Sequence, residues 1–457
     1  MKEKLPKGWI LTSLGEITDK SQYGWTTRAS SNGNLHLLRT TDITSGKIEW
    51  DSVPFCEKEP EDIEKYLLED GDIVISRAGS VGHSYLLRNP KRSIFASYLI
   101  RFKPLVNRFY LFYFLRSSYY WEAISEKSIG IAMANVNASK LKQIEIPLPP
   151  LAEQQRIVNK IEELFTNLDK GIEYLEAVKS KLIVYRQAIL KYAMEGKLTE
   201  DWRERNKDKI EQTPNPLKNI KINATGELPY GWITTYLKNI ALEIKKINPN
   251  ENPNDSFTYI DIASIDNKKQ IIKCPKIYLG KNAPSRARQL VKEGDILFST
   301  VRTYLKNISI VTKEYDNQIA STGFCVLRTL SVNNKWLFYL VQTNFFLNSL
   351  NVIQRGTNYP AVRNSDILNQ IIIVPPLEEQ KEIVDRVEKL FSLADYIEET
   401  VNSKLEESNA LRQSILKKAF EGKLVPQDPN DESAEILLEK IKMEKSNKVK
   451  LVQEKLI

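Results

Sequence analysis

The sequence predicts an α+β fold assembled from two equivalent halves, each a mixed α/β segment followed by one long helix. Three observations carry that expectation. First, the stretch from Pro149-Pro150-Leu151 to Glu195-Gly196-Lys197-Leu198 returns as Pro375-Pro376-Leu377 to Glu421-Gly422-Lys423-Leu424. Pro150 and Pro376, like Gly196 and Gly422, lie 226 positions apart, so the two copies align without a gap. Roughly twenty of about fifty positions are identical, and a repeat of that quality has to be recognised before any fold is argued. Second, Leu5-Pro6-Lys7-Gly8-Trp9-Ile10 returns as Leu228-Pro229-Tyr230-Gly231-Trp232-Ile233, at an offset of 223. Third, the segments between these landmarks consist of short β-rich runs with turn residues close by.

Taken in order, residues 1–148 form the first mixed segment. Val53-Pro54-Phe55, Asp72-Ile73-Val74-Ile75-Ser76 and Tyr98-Leu99-Ile100-Arg101-Phe102 have strand composition. Islands of this segment recur in the second, residues 227–374. Gly71-Asp72-Ile73 and Ser76 answer to Gly294-Asp295-Ile296 and Ser299, Ala96-Ser97 to Ala320-Ser321, and Gly130 to Gly356. Between the islands the sequences diverge: Arg77-Ala78-Gly79-Ser80-Val81-Gly82 stands where Thr300-Val301-Arg302-Thr303-Tyr304-Leu305 does. A shared scaffold with divergent loops suits two halves that read different things. The aromatic run Phe109 to Leu115, matched by Lys335 to Leu340, reads as a buried amphipathic helix rather than a base-stacking surface, because no basic residue flanks each turn.

Residues 149–198 and 375–424 are the repeated helices. Paired prolines block a helix upstream of each, and Gly196 and Gly422 suit the C-terminal caps. In the first copy Leu175, Val178, Leu182, Tyr185, Ile189 and Tyr192 follow a 3-4-3-4-3 spacing, the seam of a coiled coil. Ile397, Val401, Leu411 and Ile415 keep that register in the second, where Lys404 and Ser408 interrupt it. About forty helical residues make a rod of roughly 60 Å. Residues 199–226, polar and with Thr213-Pro214-Asn215-Pro216, read as a linker. Residues 425–457 read as a tail with a short charged helix, Ser433 serving as its N-cap.

The totals bound the chemistry. A chain of 457 residues is too long for one core. No run approaches the roughly eighteen apolar residues of a membrane span, and Met1-Lys2-Glu3-Lys4 opens without an apolar export signal. Cys56, Cys274 and Cys325 show no paired spacing, which fits a reducing cytoplasm. The net charge of +8 permits nucleic-acid binding without proving it. Catalytic patterns are missing. Gly46-Lys47 and Gly196-Lys197 lack the rest of a phosphate loop, no dinucleotide fingerprint follows a strand, and His36 and His83 stand alone. The acidic run Glu57 to Glu64 has no second cluster to complete a metal-dependent nuclease, so it reads as a solvated loop and helix start. An Asn- or Asp-Pro-Pro-aromatic loop, which an adenine methyltransferase needs, is also missing. The chain is expected to be no enzyme and to hold no metal.

Two globular halves, each followed by a Pro-Pro-Leu-x-Glu-Gln helix ending Glu-Gly-Lys-Leu, resemble the DNA specificity (S) subunit of type I restriction–modification systems. The resemblance covers nearly the whole chain. Its most specific part is the helix pair; the Gly-Asp-Ile-x-x-Ser island and the stretch Pro426 to Ile441 are similar too. It implies that residues 1–148 and 227–374 are target recognition domains, each reading one part of a split site in double-stranded DNA. It implies that the two helices pack as an antiparallel coiled coil with pseudo-two-fold symmetry, setting the spacing and docking two methyltransferase (M) subunits. Restriction/translocase (R) subunits join that assembly. S-adenosylmethionine, ATP and Mg belong, on this resemblance, to the partner subunits.

Base readers are expected among Arg, Lys, Asn, Gln, Ser and Thr on loops, whose donors and acceptors match base edges. In the first half these are Arg39, Thr40, Thr41, Arg77, Ser80 and Ser97; in the second, Arg302, Thr303, Tyr304, Ser321, Thr322 and Asn358. Two rivals come from other classes. A coiled-coil scaffold whose halves bind proteins predicts no salt-dependent DNA affinity, and a nuclease with dispersed carboxylates predicts magnesium-dependent cutting by the chain alone.

Overall fold

The two ends of each mixed segment are joined by a strand pair, and this places the start of the long helix. In the computed structural model, which describes residues 5–128, 135–212, 217, 228–356, 358 and 360–454, Ile10–Ser13 runs antiparallel to Glu145–Leu148, with Ile10 opposite Leu148. Ile233–Tyr236 pairs with Ile371–Val374 in the same way, Ile233 opposite Val374. Gly130, residues 213–216 and Met1–Lys4 fall outside the described residues. The chain divides into two units, 1–175 with 403–457 (unit 1) and 176–402 (unit 2).

In unit 1 the strand Ile73–Ser76 is buried at all four positions. That unbroken burial marks a strand covered on both faces. It lies between Leu99–Phe102 and Ser84–Leu86, both antiparallel to it, with Gln22–Tyr23 at the edge. A second sheet orders Ala29–Ser30, Phe55–Cys56, His36–Leu38 and Ser93–Phe95, the last pair parallel. Unit 2 repeats the plan. Ile296–Ser299, again wholly buried, sits between Ile308–Ile310 and Phe324–Leu327. A four-stranded sheet beside it contains the parallel pair Ser256–Ile260 and Ile319–Ser321.

The aromatic runs are buried helices, Arg108–Phe114 and Asn334–Leu340. Asn107 and Asn333 cap them, each side-chain oxygen accepting from two backbone N–H groups. Tyr110 to Phe114 are all buried, so their rings fill the core and are not offered to a ligand.

The repeated helices run from Leu151 to Met194 and from Leu377 to Phe420, 44 residues each, or about 66 Å of helix. Each contributes one half to each unit. In unit 1, Ile157, Val158 and Ile161 from the start of the first helix share a core with Ile415, Leu416, Ala419 and Phe420 from the end of the second. In unit 2 the roles exchange: Ile189, Leu190 and Ala193 meet Ile383, Val384 and Val387. The pairing is antiparallel in both.

The predicted seam holds only in part: Leu182, Ile189, Val401 and Ile415 are buried, but Val178, Tyr185, Tyr192 and Leu411 are 37–52% exposed. The neighbours Arg186 and Arg412 turn inward instead. Arg186 lies over the Phe391 ring at 5.3 Å and pairs with Asp395 at 2.6 Å, while Arg412 lies over Phe165 at 4.9 Å and pairs with Asp169. The offset of 226 carries one set onto the other, so the repeat preserves a cross-helix clamp twice. A long side chain with an apolar stem and a stacking head can occupy a seam position that apolar periodicity alone assigns elsewhere. Alanine at Arg186 or Arg412 is expected to cost less than about 1 kcal/mol each, because the carboxylates are solvated; thermal unfolding of the single variants checks this.

Residues 200–212 are more than a linker. They form the helices Glu200–Arg205 and Lys207–Gln212, with Arg203 and Ile210 buried. The sequence looked solvated because Arg203 has charged neighbours, and its buried partner lies far along the chain. The tail helix is longer than expected, Ala434–Glu454, and begins directly after Ser433.

Candidate nucleic-acid interface

The repeated motifs are joints. Trp9 donates its indole N–H to Glu153 Oε2 at 3.0 Å, and Trp232 donates to Glu379 Oε2 at 2.8 Å, so each opening motif is fastened to the helix-start motif of its own unit. Gln154 and Gln380 donate back to the Pro149 and Pro375 carbonyls and accept from the backbone of Asn107 and Asn333. One glutamine therefore holds the double-proline turn against the aromatic helix. A further segment closes each joint: Gln427 donates to Glu153 Oε1 in unit 1, and Arg203 and Thr199 bond Glu379 Oε1 in unit 2.

The Gly-Asp-Ile-x-x-Ser island is scaffold too. Asp295 takes two bonds from Arg328, at 2.8 and 2.6 Å, and one from the Lys292 backbone. Asp72 accepts from the Glu69 backbone and lies 3.8 Å from Arg101. Burial pushes the Asp72 carboxyl up, with the Glu69 bond and Arg101 acting the other way. Ser76 and Ser299 donate to the Ala78 and Val301 carbonyls, turning the chain at the strand end. The residues directly after those serines, 77–82 and 300–305, differ between the two halves.

At that strand end the candidate loops converge. In unit 1 the Arg77 backbone N–H donates to the Tyr98 carbonyl, the Ser97 N–H to Trp25, and the Ser76 hydroxyl to Thr40 Oγ1 at 3.5 Å. Loops carrying Arg39 to Thr41, Arg77 to Ser80, and Ser97 are thereby gathered. The Arg77 guanidinium stacks on Tyr23 at 5.1 Å. Arg39 is held by a two-point ion pair with Asp42, which fixes its fork but leaves the side chain 40% exposed. Thr41 is exposed, and Thr40, Ser80 and Ser97 are half-buried.

Unit 2 gathers its own set. Thr300 N–H donates to Gly323, Arg302 N–H to Pro360 and Thr322 N–H to Arg286, while the Arg302 side chain donates to the Asn358 carbonyl at 3.1 Å. Tyr304, Thr322 and Asn358 are exposed. Ser321 and Thr303 are buried, at 3% and 2%. Ser321 Oγ accepts from the Gly323 N–H, and Thr303 Oγ1 donates to Asn351. These two hydroxyls hold the loops in place rather than face solvent.

Three further residues of the clusters were not singled out from sequence. Tyr98 is 61% exposed on the turn between Ser97 and Leu99, and Leu305 is 38% exposed beside Tyr304. Lys306 Nζ donates to Asn344 Oδ1 at 3.1 Å, and burial pushes this ammonium group's pKa down. The signal for each was proximity to the recurring Ser76/Ser299 and Ser97/Ser321 islands, with no feature in the residue itself. Among the described residues there is no acidic, His or Cys group that could hold a metal ion, and no helix long and apolar enough to cross a membrane.

Comparison with known proteins bears on these clusters. The family model described as "Type I restriction modification DNA specificity domain" matches residues 5–177 and 208–407. The EcoKI specificity subunit of Escherichia coli strain K12 is 29% identical over 476 aligned positions, covering 97% of both chains. The EcoBI specificity subunit of Escherichia coli is 30% identical over 72% of this chain and 70% of its own. A solved chain from a study of complex assembly and conformational transition in the type I R-M system superposes with a TM-score of 0.65 at 21% identity, over 92% of this chain and all of its own.

Proposed function

The chain belongs to the family of type I restriction–modification DNA specificity subunits, and from that premise we propose that each loop cluster reads one part of a split duplex sequence. Residues 1–148 and 227–374 are then the target recognition domains, and the helices 149–198 and 375–424 carry the partner-docking surface. The observation that carries the reading is the contrast at the strand ends: identical Ser76 and Ser299 anchors, followed by loops of unrelated sequence, on a duplicated scaffold. Such a design keeps position constant while changing what is read.

The chain contributes recognition; catalysis lies in partner subunits. Two methyltransferase subunits using S-adenosylmethionine and the ATP- and Mg-dependent restriction subunits assemble on it, in the cytoplasm where the DNA is. Co-expression with the methyltransferase subunit, followed by mapping of modified adenines through single-molecule sequencing, tests the proposal. A split motif that vanishes when this chain is omitted is expected; a soluble complex that leaves every adenine unmodified and binds no DNA would overturn it. Arg77→Ala and Arg302→Ala are each expected to relax one position in one half-site, at about 1–3 kcal/mol, and to leave the other half-site unchanged. A uniform loss on all sequences, with a shallower salt dependence, would reassign the arginine to a phosphate.

A further inference from the structure

The turn after the strand Ile296–Ser299 is held more firmly than a surface loop needs. Arg302 and Lys306, at its two ends, have left-handed backbones, with φ of 49° and 53°. Counted forward from Ser76 and Ser299, Gly79 takes the place of Arg302, and counted back from the paired strand starts Ser84 and Ile308, Gly82 takes that of Lys306; their φ are 77° and 84°, and glycine adopts such angles freely. Unit 2 therefore carries strain that its repeat avoids.

Side chains over-determine that backbone. Thr303 donates to Asn351 Oδ1 at 2.8 Å and accepts from Gln354, Arg302 donates to the Asn358 carbonyl, and Lys306 donates to Asn344. Asn267 donates to the Leu305 carbonyl at 3.0 Å. What these ties hold out into solvent is a pair of side chains, Tyr304 at 51% and Leu305 at 38% exposure. Val81, at the corresponding tip of unit 1, instead packs against the core. Strain that the surroundings enforce, around side chains left partly exposed, points to a contact site.

We infer that Tyr304 and Leu305 form an apolar reading tip that contacts the C5 methyl of a thymine in the half-site read by unit 2. The inference rests on the DNA-recognition reading above. Base edges in the major groove carry one apolar feature, that methyl group, and a fixed apolar tip between two cations suits a groove walled by phosphates. Unit 1, whose tip is small and packed, makes no such contact.

The test uses the full chain in complex with its methyltransferase partner and duplexes carrying the mapped site. Each thymine is replaced in turn by deoxyuridine, which lacks only the methyl. One position is expected to lose affinity about fourfold, the equivalent of one methyl buried at roughly 0.8 kcal/mol. That position lies in the half-site whose letters change in Arg302→Ala. Leu305→Ala should bind the thymine and deoxyuridine duplexes equally and retain wild-type affinity changes at every position of the other half-site. Leu305→Ala should show a cooperative thermal transition close to that of the wild-type chain, separating loss of the tip from loss of the fold. A split site without a methyl-sensitive thymine, or a Leu305→Ala variant that still loses affinity on methyl removal, overturns the tip while leaving the two-half reading intact. Failure to find any split site overturns both.

Discussion

Replacing Arg203 with alanine is expected to destabilise unit 2 by about 3–5 kcal/mol, the usual cost of stranding one partner of a buried ion pair. The Glu379 side chain is wholly buried and Arg203 is 10% exposed. Arg203 gives Glu379 Oε1 two bonds, at 3.0 and 2.8 Å, and also donates to the Gly196 carbonyl at the end of the first long helix. Without the guanidinium, the carboxylate keeps only Trp232 and Thr199 as partners. Glu379→Gln should also destabilise, since the amide has a single oxygen to meet donors on both sides and the Arg203 guanidinium stays buried without its counter-charge. Urea unfolding followed through the Trp232 environment measures both. A loss below about 1 kcal/mol for Arg203→Ala would put the pair among ordinary surface bridges and reduce residues 199–212 to the linker that their composition suggests. Unit 1 supplies the contrast. Its Glu153 is met by the neutral Gln427 and by Trp9, and burial pushes that carboxyl up despite those bonds.

The second large effect is expected at Phe420. Its ring meets Tyr110 and Phe114 edge-on, both at 5.3 Å, where the end of the second long helix enters the core of unit 1. Phe420→Ala should cost about 3–5 kcal/mol through lost burial and the cavity left behind. Met194, which the repeat places at the equivalent position in unit 2, shows that a flexible apolar chain serves there too. Phe420→Met is therefore expected to lose much less than Phe420→Ala, and equal losses in the two variants would exclude cavity formation as the cause. Chemical denaturation of the three proteins decides it.

Much of this architecture was legible because the chain states it twice. The long helices, their prolines and their terminal glycines could be placed from the repeat alone, and so could the strand before Ser76 and Ser299. What the motifs do was not legible. Trp9 and Glu153 are separated by 144 positions, and nothing local in Pro-Pro-Leu-x-Glu-Gln says that its glutamate receives an indole N–H. Part of the expected helix seam is exposed for a physical reason: apolar periodicity favours Tyr185 and Leu411, whereas the arginines beside them bury their stems and stack on phenylalanine. At the candidate interface, residue type picked out Ser321 and Thr303, hydroxyls that the fold uses internally, and passed over Leu305, which it leaves outside. Composition cannot tell a loop's anchor from its tip; that distinction depends on which side chains find partners.

The division of the chain also fixes an order of assembly during synthesis. Unit 2 is one uninterrupted stretch, 176–402, and all its segments have been made once that stretch is out. Unit 1 needs residues 403–457, which supply Phe420 to its core and Gln427 to its Trp9–Glu153 joint. At ribosomal speeds of roughly 5–20 residues per second, the first-made domain waits on the order of ten seconds or more with an apolar face uncovered. The part of the protein that emerges first is the last to close, and it is the part for which a nascent-chain chaperone has the longest opportunity to bind.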